Sequence, residues 1–162
     1  MSSCCRCAGW WYRAAFSNNT VKQICYTDTM EFVPPIHKGV VVKVYDGDTI
    51  TVATALDTDR PTCFRKPTLY RFRIRLRGID TPEIKGKSEQ EKTRAREARD
   101  ALSAQIMGQE VYLRNVGNEK YGRVLADVYF REVHMNQWML QQGYAQVYDG
   151  GTKAEFIEVI SA

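Results

Sequence analysis

Four carboxylates and two arginines stand where their spacing could do chemistry. Asp46 and Asp48 flank a glycine in VYDGDTI, and Asp80 and Glu83 close the stretch RLRGIDTPE, which Arg75 opens. A third stretch, KYGRVLA, carries Lys120, Tyr121 and Arg123. If folding brings the two acidic turns together, their mutual repulsion raises their pKa values unless a cation neutralises them. The chain has only two histidines, His37 and His134, and its cysteines lie outside these turns, so the donors on offer are oxygens. An all-oxygen site favours a hard ion, Ca2+ or Mg2+, over zinc or copper. Two arginines over such a cation match what phosphoryl transfer needs, because cation and guanidinium groups together hold phosphate oxygens and developing negative charge. Tyr121 offers a ring on which a base or sugar can lie. Each motif also has a plain structural reading. Asp-Gly is a common turn dipeptide, alternating arginines solvate a strand edge, and a lone tyrosine is equally at home in a core.

The elements that must position these groups read as short strands around one long helix. Phe72, Ile74 and Leu76 alternate with Arg71, Arg73, Arg75 and Arg77, the period of a half-buried strand with one basic face. Gly78 breaks that strand, and Pro82 delays any helix, so Asp80 and Glu83 are expected in a loop beside Arg75. Val40 to Tyr45 and Ile50 to Ala55 read as a hairpin turned at Asp46-Gly47-Asp48. Asp57 to Pro67 reads as a polar connection. From Ser88 to Met107, Ala95, Ala98, Leu102 and Ile106 recur at helical spacing, with Ser88 and Glu91 as a capping box and Gly108 as the stop. Glu110 to Val116 and Arg123 to Phe130 form a second hairpin, turned over Asn118 to Gly122. Asn136 to Gln142 and Thr152 to Ile160 are expected to be short helices. Five strands with a helix after the third predict an α+β chain built on a five-stranded oligonucleotide-binding (OB-fold) β-barrel.

At 162 residues the chain is long enough for one domain with a real core, since a chain of this size buries roughly 70% of its unfolded surface. Its net charge of +4 is a mild pointer to a polyanionic partner. No apolar run is long enough to span a bilayer, and Arg6 and Arg13 interrupt the N-terminal apolar stretch, so no signal peptide is expected. The compartment expected is intracellular and cytoplasmic, where five cysteines do not make a disulfide framework. The first 35 residues read as an irregular extension, with the domain proper at 36–162. Cys4, Cys5 and Cys7 precede Trp10, Trp11, Tyr12 and Phe16. That pattern is a loosely docked tail or a membrane-associating segment with acylated cysteines. Zinc binding is the weakest reading, because the cysteine spacing is wrong and Cys25 is remote. Ser2 in place of glycine excludes N-myristoylation.

Taken in order and around a helix, VYDGDTI, RLRGIDTPE and KYGRVLA resemble the staphylococcal nuclease (thermonuclease) family over about Val40 to Tyr148. The resemblance implies a five-stranded barrel with three helices and Ca2+-dependent hydrolysis of phosphodiester bonds in DNA, RNA or both, by in-line water attack that leaves 3′-phosphate ends. It implies Asp48, Asp80 and the Thr81 carbonyl as metal ligands, with Asp46 in support. Glu83 would orient or deprotonate the water, Arg75 and Arg123 would grip the phosphate, and Lys120 and Tyr121 would contact the nucleotide. Tyr144 and Tyr148 are the candidates for the family's base-lining aromatics. Some plant relatives carry acylated N-termini, which by analogy makes the leader a membrane anchor. A monomer is expected. The rival from another class is a non-catalytic nucleic-acid-binding barrel, tethered to a membrane through its leader or free.

Overall fold

The computed structural model describes residues 25–56, 67–86 and 88–151. The chain divides into two units, residues 1–32 and 33–162. In the first, the described residues hold a single 3-10 turn, Tyr26–Asp28, capped where the Cys25 amide donates to Asp28 Oδ2 at 2.8 Å. Cys4, Cys5 and Cys7 lie outside the described residues, and Cys25 is a free, exposed thiol.

The second unit is the barrel. Its strands are β1 (Lys38–Asp46), β2 (Thr49–Ala55), β3 (Leu69–Leu76), β4 (Ile79–Asp80), β5 (Glu110–Asn118), β6 (Val124–Phe130), β7 (Val133–His134) and β8 (Gln146–Val147). Two α-helices accompany them among the described residues, α1 (Glu89–Ile106) and α2 (Met135–Gln141). The helix expected over Thr152 to Ile160, and most of the connection between β2 and β3, lie outside the described residues. The order β3-β2-β1-β5-β6 closes on itself through a parallel pairing of β3 with β6, in which Ile74, Arg75 and Leu76 face Val124, Leu125 and Ala126. Closure brings two segments 50 residues apart side by side. Five strands make the closed barrel, as the alternating pattern predicts. β7 extends β6, and β4 pairs separately with β8.

Each barrel strand sends its apolar side inward. Val41, Val44, Ile50, Val52, Ile74, Leu76, Val111, Leu113, Val124, Ala126 and Val128 are all buried. α1 seals the barrel with the stripe its sequence announces. Ala95, Ala98, Leu102 and Ile106 are its buried residues, and it packs on β1. Burying a side chain such as Leu102 or Ile106 contributes about 1.5–3 kcal/mol. Ser88 caps the helix, its hydroxyl accepting from the Glu91 amide at 3.1 Å.

The closing seam has its own clamp. Asn136 at the start of α2 is buried, and its Oδ1 accepts from the Val128 amide at 3.0 Å while its Nδ2 donates to the Arg77 carbonyl at 2.8 Å. One side chain therefore ties β6, the end of β3 and α2 together. The Arg77 amide adds a bond to the Ala126 carbonyl at 2.9 Å. The sequence pattern places Asp80 in a loop. The structure instead puts it in β4, because Ile79 and Asp80 find antiparallel partners in Val147 and Gln146, a pairing about 66 residues distant that no local period reveals.

Candidate active site

The barrel brings three separate turns around Arg75. Arg75 is the last outward-facing residue of β3, opposite Thr49 of β2. Asp48 stands in the two-residue turn between β1 and β2, and its carbonyl accepts from the Leu76 amide at 2.8 Å, which locks that turn to the end of β3. Asp80 arrives through β4. The turn between β5 and β6 brings Glu119, Lys120, Tyr121 and Arg123. It is closed by the Glu119 amide bonding to the Arg123 carbonyl at 2.8 Å, with Gly122 at φ +76°, a conformation that a side chain would strain. Pairing of β4 with β8, and a bond from the Tyr148 amide to the Gly78 carbonyl at 3.0 Å, set the Tyr148 ring 5.7 Å from the Arg75 guanidinium.

Arg75 is only 7% exposed, yet it is fully engaged. Its Nη1 donates to Asp48 Oδ2 at 2.5 Å and its Nη2 to Asp80 Oδ1 at 2.8 Å, with the Ile79 carbonyl at 3.3 Å. Burial opposes its charge, but the Asp48 and Asp80 carboxylates outweigh burial and hold the guanidinium more firmly protonated than usual. Here the cation between the two acidic turns is an arginine.

The second arginine is aimed by a residue that the sequence reading passed over. Glu119 accepts from Arg123 at both oxygens, Nε to Oε2 at 2.5 Å and Nη2 to Oε1 at 2.8 Å, and its Oε1 lies 3.8 Å from Arg75 Nε. One carboxylate thus lies against both arginines: its bidentate pair fixes the plane of the Arg123 guanidinium, and Arg75 stands within ion-pair distance of it. The only local signal was an acid four residues before Arg123 across a turn. Thr49 adds a link, its hydroxyl donating to Asp48 Oδ1 at 2.7 Å and accepting from Arg123 Nη1 at 3.5 Å.

These groups wall a cleft of about 700 Å³. Every residue expected to hold the ion, the phosphate or the nucleotide lines it except Asp80, which bonds to Arg75. Glu83 and Tyr121 sit exposed at the rim, Tyr121 at 72%. Tyr148 lines the cleft, whereas Tyr144 packs instead against Trp138, ring centres 6.1 Å apart. Asp46 and Thr81 each hold a buried oxygen, Oδ1 and Oγ1, that has no hydrogen-bond partner. Burial raises the pKa of Asp46, Asp48 and Glu83 add to the rise, and Arg123 and Arg99 oppose it. Among the described residues, no three histidine, cysteine, aspartate or glutamate side chains converge as a ready-made metal cage. The donor set nevertheless suits a hard cation. Asp48 and Asp80 converge on a positive charge, and the orphaned Asp46 oxygen lies in the same wall as Asp48, a cost that a nearby cation would offset.

A sequence profile described as staphylococcal nuclease homologue matches residues 73–158, which include Arg75, Asp80, Glu83 and Arg123. This chain belongs to the staphylococcal nuclease homologue family. Asp46 and Asp48 precede the matched segment and join the site through the β1–β2 turn. Among individual relatives, the chain is 36% identical over 90 residues to a probable endonuclease of Leptosphaeria maculans, covering 53% of this chain and 30% of the relative. It is 34% identical over 112 residues to an uncharacterized endonuclease of Escherichia coli, covering 68% and 61%. It is 35% identical over 75 residues to a probable staphylococcal-like nuclease of Oryza sativa subsp. japonica, covering 46% and 18%. The matches span less than two thirds of each relative's length.

Proposed function

We propose that this chain is a Ca2+-dependent nuclease that hydrolyses phosphodiester bonds of DNA, RNA or both by in-line attack of water, leaving 3′-phosphate ends. One observation carries the proposal. Arg75 at the end of β3 and Arg123 in the turn before β6 reach the same cleft, and Glu119 forms an ion pair with each. Fixed guanidinium groups beside convergent carboxylates are suited to a phosphate oxygen that gains charge as the reaction proceeds. Endonuclease and nuclease are also the names of the relatives.

Asp48, Asp80 and the Thr81 carbonyl would hold the ion, with Asp46 in support. When bound, Ca2+ supplies Lewis-acid stabilisation of the phosphate charge and a place for the attacking water. Arg123 would grip a non-bridging oxygen, and Arg75, held at the cleft wall by Asp48 and Asp80, would face the same phosphate. Glu83, at the rim, accepts a proton from the attacking water. Lys120 pairs with a neighbouring phosphate, and Tyr121 and Tyr148 flank the sugar and base.

The fit of Arg75 between two acids also suits a barrel that binds nucleic acid without cutting it. Digestion of end-labelled single- and double-stranded DNA and RNA in Ca2+, Mg2+ or chelator separates the two. Cleavage in Ca2+ that chelator abolishes is expected. Cleavage unaffected by chelator would remove the metal mechanism. Binding without cleavage in any ion would leave the binding barrel.

A further inference from the structure

The cleft has a third arginine that the proposed chemistry leaves unused. Arg99 of α1 lines it, with its side chain 34% exposed. The helix period puts it there, one turn beyond Ala95 and next to Ala98, at the edge of the buried stripe. At Ala98 the helix presses on the acidic turn, where a Cβ added to Gly47 would lie 3.0 Å from the Ala98 Cβ. From this position the charge of Arg99 reaches Asp46, as the charge of Arg123 does from the β5–β6 turn.

Yet Arg99 is not fastened to the site. Asp46 Oδ1 has no hydrogen-bond partner. Among the described residues, the acid that pairs with Arg99 is its sequence neighbour Asp100, which is no part of the cleft wall. Nε and Nη2 both reach the same oxygen, Asp100 Oδ1, at 2.8 and 2.7 Å. Adjacent residues on a helix do not face each other, so this pair is made by a sideways reach along the helix surface. Asp100 is 64% exposed, and a pair that open to water holds weakly. Arg75 and Arg123 are by contrast pinned by Asp48, Asp80 and Glu119. A guanidinium in a cleft whose partner is an exposed acid outside it exchanges that partner readily for a bound anion.

We propose that Arg99 forms a phosphate subsite on α1, taking the phosphate next to the scissile one on the side away from Lys120, so that the substrate is an internal bond with a phosphate on each side. This rests on the proposed nuclease reading for the scissile phosphate itself. Lys120 comes on the β5–β6 turn and Arg99 on a helix packed against β1, so the two cations enter the cleft from separate elements. A cleft of about 700 Å³ is of the size that takes a whole drug-sized ligand, which leaves room for more than one phosphate.

The test uses four thymidine dinucleotides, TpT bare, with a 5′-phosphate, with a 3′-phosphate, and with both. Chromatography of the products gives kcat/KM in Ca2+ for the parental chain, Arg99→Gln, Arg99→Lys, Lys120→Gln and Asp100→Asn. Each terminal phosphate should raise parental kcat/KM about tenfold, the scale of one hydrogen bond to a charged group. Arg99→Gln should erase the advantage of one terminal phosphate and Lys120→Gln that of the other. Ratios between substrates are taken within each variant, so a general loss from the changed charge beside Asp46 cancels. Arg99→Lys should keep part of the advantage, and Asp100→Asn, which frees Arg99, should keep or enlarge it. Parental ratios in Arg99→Gln would overturn the subsite and leave Arg99 on a solvated helix face. Loss of the same phosphate's advantage in Arg99→Gln and Lys120→Gln would also overturn it, since both would then serve one phosphate. Calorimetry in chelator reads the same ratios as dissociation constants with nothing cut. An Arg99-dependent ratio there, with no cleavage in Ca2+ by any protein, would defeat the nuclease reading and keep the subsite.

Discussion

Arg75 donates to the Asp48 carboxylate at 2.5 Å across a turn and a strand that the sequence separates by 27 residues, and both groups are nearly out of reach of water. Asp80 completes the cluster from the other side. Two acids buried around one arginine are stable only as a set. Removing one partner of a buried pair costs about 3–5 kcal/mol, because a desolvated charge is left uncompensated. Arg75→Ala should therefore lose stability on that scale in chelator, read by urea unfolding. Part of the loss should return with millimolar Ca2+, which supplies the missing charge. An unfolding midpoint that does not move in chelator would mean the two carboxylates relax into solvent.

Glu119 reaches both arginines, so its effect should be on their aim. Glu119→Gln keeps the shape but removes the charge that pairs with Arg123 at both oxygens and stands 3.8 Å from Arg75. Single-turnover cleavage should slow roughly 10–100-fold, the usual scale for partners that orient an active group, with a smaller change in substrate affinity. Glu119→Asp, which keeps the charge on a shorter arm, should recover part of the rate. Parental rates in both variants would reduce Glu119 to charge balance.

Glu83 and Arg123 are assigned to the transition state, and Asp48 to the ion. Glu83→Gln should lower kcat by about 10²–10⁴-fold. Arg123→Ala should cost about 3–4 kcal/mol of transition-state stabilisation. In both, kcat should fall more than KM rises. Asp48→Ala should instead raise the Ca2+ concentration needed for half activity. Single-turnover rates over a Ca2+ titration distinguish these patterns, and near-parental rates for both Glu83→Gln and Arg123→Ala would favour the non-cutting barrel.

Gly47 couples the acidic turn to the helix and to Thr81. A Cβ at Gly47 would lie 2.9 Å from Thr81 Cγ2 and 3.0 Å from Ala98 Cβ, closer than side chains tolerate. Gly47→Ala should destabilise the fold by about 1–3 kcal/mol through overpacking. It should also raise the Ca2+ concentration needed for half activity, because Thr81 would be displaced beside the turn that carries Asp46 and Asp48. Thermal unfolding and Ca2+ titration together check this. A stability loss with an unchanged Ca2+ midpoint would confine the strain to the helix contact.

Much of this molecule was legible in its sequence, because the decisive signals were local. The alternation of Phe72, Ile74 and Leu76 with arginines set β3 and its inward face, and the spacing of Ala95, Ala98, Leu102 and Ile106 set α1. The motif order alone brought Asp48, Arg75 and Arg123 together as candidates. What the tertiary structure decided was who faces whom. Asp80 belongs to a strand because residues 146 and 147 pair with it, and the turn of KYGR closes the cleft because β6 lies parallel to β3. Glu119 carried no periodic or motif signal, since its role exists only once both arginines stand beside it. The same closure showed Arg75 held between two acids while Arg71 and Arg73 on the same strand face have none. Periodicity places a side chain on a face, but the partner that neutralises it comes from distant chain, and only packing selects that partner.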